Sequence, residues 1–283
     1  MTGVAPNPWL SRRVLAYAHQ GGAREAPSST MEALSRAVAS GADALELDVH
    51  ATSDGYLVVC HDATVDRTTD GTGAISTLSL AAVRALDNAY WWVPGSVVDH
   101  DRPPSDYPLR GTGLHIATLD EVLDAFPATF LNLDIKQTAP AVAPYEEALA
   151  RTLRSHGRSD GVIVASFNDY ATDAFRTFAP EVGTSAGTLA VANFWRAAHQ
   201  GEALPELPVV ALQVPVAAAG LTVCDEVLVE AAHRAGLAVH AWTIDDPDEM
   251  RLLLDIGVDG IMSDLPTLAV SVLSERGVRY APG

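Results

Sequence analysis

The sequence predicts an α/β fold closed as a TIM (β/α)8 barrel, and three observations carry that prediction. Short apolar runs of strand length alternate with amphipathic helical segments from one end of the chain to the other. About eight such units fit within the 283 residues, an ordinary length for this barrel. A dinucleotide fingerprint, which would favour an open doubly wound sheet, is missing: Gly71-Thr-Gly73 lacks a third glycine and does not open a helix.

The elements are expected in this order. A strand over 14–18 leads to a helix over 29–40, opened by a Ser29-x-x-Glu32 capping box and ended by Gly41. Strands over 44–49 and 57–60 are joined by the turn Ser53-Asp54-Gly55. The stretch 62–116, rich in Gly, Pro and Asp and carrying Tyr90-Trp91-Trp92, does not follow the repeat. It is expected to be a small insertion after the second barrel strand, lying over the barrel mouth within a single domain spanning 1–283. The alternation then resumes with a helix over 119–126, a strand over 130–135, a helix over 144–156 and a strand over 162–166. A helix over 169–178, a strand over 182–186, a helix over 191–199 and a strand over 209–214 follow. Helices over 225–235, 247–256 and 267–276 enclose the last strands, 238–243 and 260–262.

Composition excludes several classes. A formal net charge of −18 argues against nucleic acid and anionic membrane surfaces as partners. Cys60 and Cys224 have no C-x-x-C spacing, so neither a disulfide framework nor a zinc knuckle is expected. Residues 1–15 hold no apolar leader core, and no run approaches the ~18 apolar residues of a membrane span. A cytoplasmic protein is expected. Of the 18 basic residues 17 are arginine, which singles out the one lysine, Lys136.

The chemistry-bearing residues stand where a barrel places its active site, at the C-terminal ends of the strands. His19 ends the first strand. Glu46 and Asp48, two apart on the second, point the same way, and two adjacent carboxylates repel unless a cation joins them. His61-Asp62 follows the extra strand, Asp134 and Lys136 end the third, and Ser166 and Asn168 the fourth. Gln213, Trp242 with Thr243, and Ser263 with Asp264 end later strands. A hard cation between two proton carriers, His19 and His61, is the expected arrangement.

The motifs Ala-His-Gln-Gly at 18–21, Gly-Ala-Asp-Ala-Leu-Glu-Leu-Asp-Val at 41–49 and Thr-Ser-Asp-Gly at 52–55 stand in a fixed order. Val-Val-Cys-His-Asp at 58–62, Arg-Thr-Thr at 67–69 and Leu-Asn-Leu-Asp-Ile-Lys at 131–136 come next, then Ala-Trp-Thr at 241–243 and Gly-Val-Asp-Gly-Ile-Met-Ser-Asp at 257–264. In order and spacing this set resembles the glycerophosphodiester phosphodiesterase family over residues 16–266. The resemblance implies a metal-dependent α/β barrel that cleaves glycerophosphodiesters to an alcohol and glycerol phosphate. It implies His19 and His61 as general acid and base, in an order left open, and a divalent cation, Mg²⁺ or Ca²⁺, on Glu46, Asp48 and Asp134. Oxygen donors without a thiol suit those ions better than zinc. Lys136 is implied to bind a phosphate oxygen. Attack by the substrate's own glycerol hydroxyl, through a cyclic intermediate, stays open.

Two positions depart from the family pattern. Gln20 stands where an arginine usually follows the first histidine, and Ser28 where a glutamate usually joins the metal. Glu25 is the expected replacement carboxylate and Arg24 the replacement guanidinium, with Gln20 and Trp242 as further substrate contacts. Asp264 is expected to cap the last helix, and Arg67 to pair with a neighbouring acid. Tyr90, Trp91 and Trp92 either line a headgroup pocket or anchor the insertion. His50, His100, His156, His199 and His233 are expected at the surface or at helix ends, and His240 in the packing. Two rival functions remain: a phospholipase D-type phosphodiesterase on the same fold acting on sphingomyelin or lysophospholipids, and a non-catalytic binding relative. Gln20 and Ser28 are the only support for the latter.

Overall fold

The computed structural model describes residues 7–10 and 13–280. The leader expectation over 1–15 therefore falls in part, at 1–6 and 11–12, outside the described residues.

Strand β1 (Leu15–His19) leads to helix α1 (Met31–Ala39), then β2 (Ala44–Ala51) and β3 (Leu57–Val59). Helix α2 (Leu80–Arg84) lies in the insertion and α3 (Leu119–Ala125) after it. The order continues with β4 (Phe130–Ile135), α4 (Glu146–Ser155), β5 (Val162–Ala165), α5 (Asp169–Phe178), β6 (Gly183–Thr184) and α6 (Thr188–Gln200). It ends with β7 (Ala211–Pro215), a hairpin of β8 (Ala217–Ala218) and β9 (Leu221–Thr222), α7 (Glu226–Arg234), β10 (Ala238–Trp242), α8 (Pro247–Asp255), β11 (Gly260–Ser263) and α9 (Pro266–Glu275).

Eight strands pair in parallel in the order β6-β5-β4-β2-β1-β11-β10-β7. The ring closes between β6 and β7 through a bridge from Ser185 to Ala211 and through Val210 N–H donating to Thr184 O at 2.9 Å. This is the expected TIM barrel. The strands read as near-continuous apolar runs because both faces are covered: inward residues fill the barrel and outward ones meet the helices. Leu45, Leu47 and Val49 of β2 join Leu131, Leu133 and Ile135 of β4 in the layer under the helices. Trp9, Tyr17 and Met262 belong to the cluster that closes the interior at the strands' N-terminal end.

Most helices begin at the side chain that caps them. Thr30, Ser79, Asn168, Asp225 and Asp246 each accept a hydrogen bond from the first turn, and Thr118 with Glu121 completes a reciprocal capping box. The Ser29–Glu32 box expected for α1 is not formed. Thr30 is the cap, with Oγ1 accepting from Ala33 N–H, while Ser29 holds a positive φ of 60° and donates its N–H to Gln20 O. The cap moved by one residue because Ser29 is needed to hold the first loop.

The insertion packs on its own cluster, Val58, Cys60, Val65, Ile75, Val83 and Ile116. Its aromatics serve as anchors: Trp91 Nε1 donates to Thr69 O and Trp92 Nε1 to Ala23 O, and the Arg110 guanidinium lies 3.9 Å from the Tyr90 ring centre. The β8–β9 hairpin was not expected, because two-residue strands carry no period to read. His50 departs from its surface assignment as well; it is buried on β2.

Candidate active site

Strand register assembles the acids. Parallel pairing sets His19 of β1 beside Glu46 of β2, Glu46 beside Asn132, and Asp48 beside Asp134 of β4. Because β2 alternates, Glu46 and Asp48 face the barrel interior and leave Leu45, Leu47 and Val49 to the helices. The antiparallel strand β3 folds back along β2, and Cys60 N–H donates to Asp48 O at 2.9 Å. That return delivers His61, while Cys60 points away into the apolar cluster. The rings of His19 and His61 are 6.2 Å apart at 79°. Both histidines, Glu46, Asp48, Asp134, Lys136 and Trp242 line one cavity of about 530 Å³.

Each histidine is held through Nδ1 by an aspartate. His19 Nδ1 lies 2.7 Å from Asp264 Oδ1, and His61 Nδ1 2.7 Å from Asp62 Oδ1. Arg67 grips Asp62 with two nitrogens, at 2.5 and 2.9 Å, as the pairing expectation required. Burial alone would raise the Asp62 carboxyl, but the hydrogen bonds from His61 and Arg67 outweigh it and hold the group well below its ordinary value. Burial would lower His19; the charge of Glu46 and the hydrogen bond its Nδ1–H donates to Asp264 outweigh it and lift the imidazole to about 9. The carboxyl of Glu46 is pushed up by burial first and by Asp48 second.

Lys136 stands inside this cluster, Nζ 2.8 Å from Asp48 Oδ1 and 3.1 Å from Asp134 Oδ2. Burial works against its charge, but Asp48 and Asp134 hold the ammonium above its ordinary value. Among the described residues, Asp48 Oδ2 and Asp134 Oδ1 are buried without a hydrogen-bond partner. Such orphaned oxygens beside Glu46 are what an oxygen-seeking cation requires. No three His, Cys, Asp or Glu side chains among the described residues converge as a ready-made cage. The ammonium stands between two of the donors.

The first loop is arranged differently from the sequence expectation. Gln20 has a φ of 53°, and Gly21 and Gly22 follow at 83° and 89°. A Cβ at Gly21 would lie 2.7 Å from Leu34 Cδ2, so only glycine fits that turn. Gln20 donates its N–H to the backbone oxygen of Glu46, and its Nε2 is 3.2 Å from His19 Nε2, which places it in the site. Glu25 is not brought to the acids. Its carboxylate accepts from Thr267 N–H at 3.0 Å and from Thr267 Oγ1–H at 2.7 Å, capping α9 in the role expected of Asp264. Asp264 is thereby free for His19. Arg24 likewise faces away from the cavity, toward Gly95 O and Asp245 Oδ2, and Asp245 in turn accepts from Asp264 N–H at 2.8 Å. Asp264 stands at the end of the eighth strand, and that position was the legible signal for its role.

The chain matches the model of the glycerophosphoryl diester phosphodiesterase family over residues 19–268. It belongs to that family. A glycerophosphodiester phosphodiesterase of Caldanaerobacter subterraneus subsp. tengcongensis is 30% identical over 94% of this chain and 100% of its own length. A probable glycerophosphodiester phosphodiesterase 2 of Mycobacterium tuberculosis is 32% identical over 93% of this chain and 92% of its own. Among solved structures, an Oleispira antarctica phosphodiesterase in complex with the product sn-glycerol-3-phosphate superposes with a TM-score of 0.72 at 26% identity, covering 93% of this chain and 97% of that one. The phosphodiesterase domain of a second M. tuberculosis protein shares the fold, with a TM-score of 0.77 at 22% identity over 93% of this chain and 99% of that one. Family membership makes the chain an enzyme, a phosphoric diester hydrolase.

Proposed function

We propose that the protein hydrolyses glycerophosphodiesters to an alcohol and glycerol phosphate, using His19 and His61 for proton transfer and a divalent cation on Glu46, Asp48 and Asp134. The carrying observation is that two aspartate-anchored imidazoles face one buried acid cluster across a single cavity. A bound Mg²⁺ or Ca²⁺ would supply positive charge against the phosphodiester anion. Asp264 and Asp62 fix the two rings through Nδ1, leaving each Nε2 as the atom that moves a proton. One imidazole takes the proton of the attacking oxygen as it bonds phosphorus, and the other gives a proton to the leaving alcohol oxygen as that bond breaks; the attacking oxygen is water's, or it is the substrate's own glycerol hydroxyl, in which case water opens the cyclic phosphate in a second step with the two roles exchanged. Lys136 offsets the negative charge of Asp48 and Asp134 from within the cluster, and its ammonium can bind a phosphate oxygen as a point charge.

The same reading places the enzyme in the cytoplasm, where the free, buried thiols of Cys60 and Cys224 stay reduced. Among the described residues no helix is long and apolar enough to cross a membrane. The test is turnover of glycerophosphocholine and glycerophosphoethanolamine with Mg²⁺, Ca²⁺ or chelator. Absence of turnover with any metal, including on bis(p-nitrophenyl) phosphate, overturns the reading.

A further inference from the structure

Asp245 follows β10, in the short stretch that leads into α8, and lies outside the cavity lining. Its carboxylate is not spent on that helix. The α8 cap is the next residue, Asp246, whose side chain accepts from the N–H groups of Asp248 and Glu249. Asp245 turns instead to the end of β11. Its Oδ1 accepts from Ser263 Oγ–H at 2.9 Å and from Asp264 N–H at 2.8 Å. Ser263 Oγ accepts in turn from Leu265 N–H at 3.0 Å, and Asp264 O accepts from Arg24 N–H at 3.2 Å. The backbone of Asp264 is thus held on both sides, and its side chain leaves from a fixed point to meet His19 Nδ1.

Asp245 is itself seated. Ile244 N–H donates to Met262 O at 2.9 Å, which lays the segment along β11, and Arg24 Nη1 reaches Asp245 Oδ2 at 3.3 Å. The guanidinium also offsets the charge of a further carboxylate in this corner. Arg24 is held by the insertion: its Nε donates to Gly95 O at 3.0 Å, and Gly95 N–H returns a bond to Arg24 O at 2.9 Å. A mere tie between loops would not require both bonds of one carboxylate oxygen to converge on the strand end that orients His19. The aspartate behind the other histidine is held too, since Arg67 grips Asp62.

Building on the phosphodiesterase reading, we infer that Asp245 is a positioning residue for the reacting His19, acting through Asp264 and steadied by Arg24 from the insertion. Asp264 must meet Nδ1 at a set distance and direction for Nε2 to point at the reacting oxygen. Asp245 Oδ1 sets the point from which Asp264 starts. Without it, Asp264 N–H and the Ser263 hydroxyl both lose their acceptor, and the strand end relaxes. Substrate binding is spared, because neither Asp245 nor Arg24 lines the cavity. The loss falls on kcat.

Two readouts test this. The His19 Nδ1–H proton, bonded to Asp264, is followed by NMR with isotope-labelled histidine and identified by its absence in His19→Gln; this requires no turnover. Steady-state kinetics on glycerophosphocholine with Mg²⁺ or Ca²⁺ gives kcat and KM. Asp245→Ala is expected to broaden the resonance or shift it upfield and to lower kcat about tenfold at unchanged KM. Asp245→Asn keeps an acceptor oxygen at the Oδ1 position and is expected to restore the resonance and most of the rate. Should Asp245→Ala fail to fold, Arg24→Ala takes its place, with an expected fall in kcat of about threefold. A wild-type kcat or an unmoved resonance in the folded variant overturns the inference, and so does an Asn variant as impaired as the Ala variant. If the wild type turns over neither glycerophosphocholine nor bis(p-nitrophenyl) phosphate, the phosphodiesterase reading falls, and the resonance alone decides whether Asp245 positions His19.

Discussion

His19 of the first strand and Asp264 at the end of the last are joined side chain to side chain, with Nδ1 2.7 Å from Oδ1 where the chain's first and last barrel strands pair. The parallel pairing of β1 with β11 brings together two residues 245 positions apart. Orientation of the reacting imidazole thus depends on the pairing of the chain's first and last strands.

Asp264→Asn keeps the shape of the pair but removes the charge and the preference for the Nδ1-protonated tautomer. It is expected to lower kcat at least a hundredfold with little change in KM, within the span that general acid–base catalysis commands. Steady-state kinetics on a glycerophosphodiester decides this, and an unchanged kcat would refute the orienting role.

Glu25→Gln is expected to leave the response to Mg²⁺ or Ca²⁺ intact and to destabilise the fold by about 1 kcal/mol, the usual worth of a helix cap. The carboxylate is committed to Thr267, on the first turn of α9. Loss of metal affinity in this variant, read by calorimetry, would return Glu25 to the metal.

Without a divalent ion, stability is expected to fall as pH rises from about 5 to 9. Burial holds the Glu46 carboxyl above its ordinary range, so ionising it costs the folded state increasingly above its unfolded value. His19, lifted to about 9 from 6.5, gives a contribution that is complete below 6.5 and disappears as pH passes through the folded value. Both effects carry the same sign. Melting temperatures in chelator at pH 6 and pH 9 check it, and a higher value at pH 9 would contradict the assignment.

A divalent cation is expected to stabilise the protein by about 2.7 kcal/mol at a concentration one hundred times its dissociation constant. The gain is larger at pH 8 than at pH 5, because burial pushes the Glu46 carboxyl up and its proton must leave for the cation to bind. Asp48→Asn is expected to abolish it, as seen in the thermal midpoint, because Asp48 carries one of the orphaned oxygens. A variant that melts higher with Mg²⁺ or Ca²⁺ as the wild type does would remove Asp48 from the ligand set.

Arg67→Ala is expected to lower kcat about tenfold, less than loss of His61 itself, because Arg67 acts only by gripping Asp62. Arg67→Lys, which restores charge without the fork, is expected to recover part of the rate. Equal activity of all three forms would show the clamp to be irrelevant to the chemistry.

The barrel and the acid cluster were legible because both follow from period and register. Strands buried on both faces read as apolar runs, and the polar residues interrupting them, Glu46, Asp48 and Asp134, had nowhere to point except inward. The fold takes Glu25 to Thr267 instead of the acids, for a physical reason. A loop carboxylate close in sequence to the site is indistinguishable there from one that caps a helix 242 residues away, and only the fold reveals Thr267. Asp264 was legible as a strand-end acid but not as the partner of His19. The β8–β9 hairpin left no trace at all, since strands of two residues have no alternation to detect.

Lys136 is the sole lysine of the chain, and its ammonium is lodged between Asp48 and Asp134. Besides the α-amine, every amine-directed reagent, whether dye, cross-linker or immobilisation resin, therefore has one target, set within the catalytic cavity. Random surface labelling is ruled out, and covalent attachment through the ε-amine doubles as a readout of whether the acid cluster is closed.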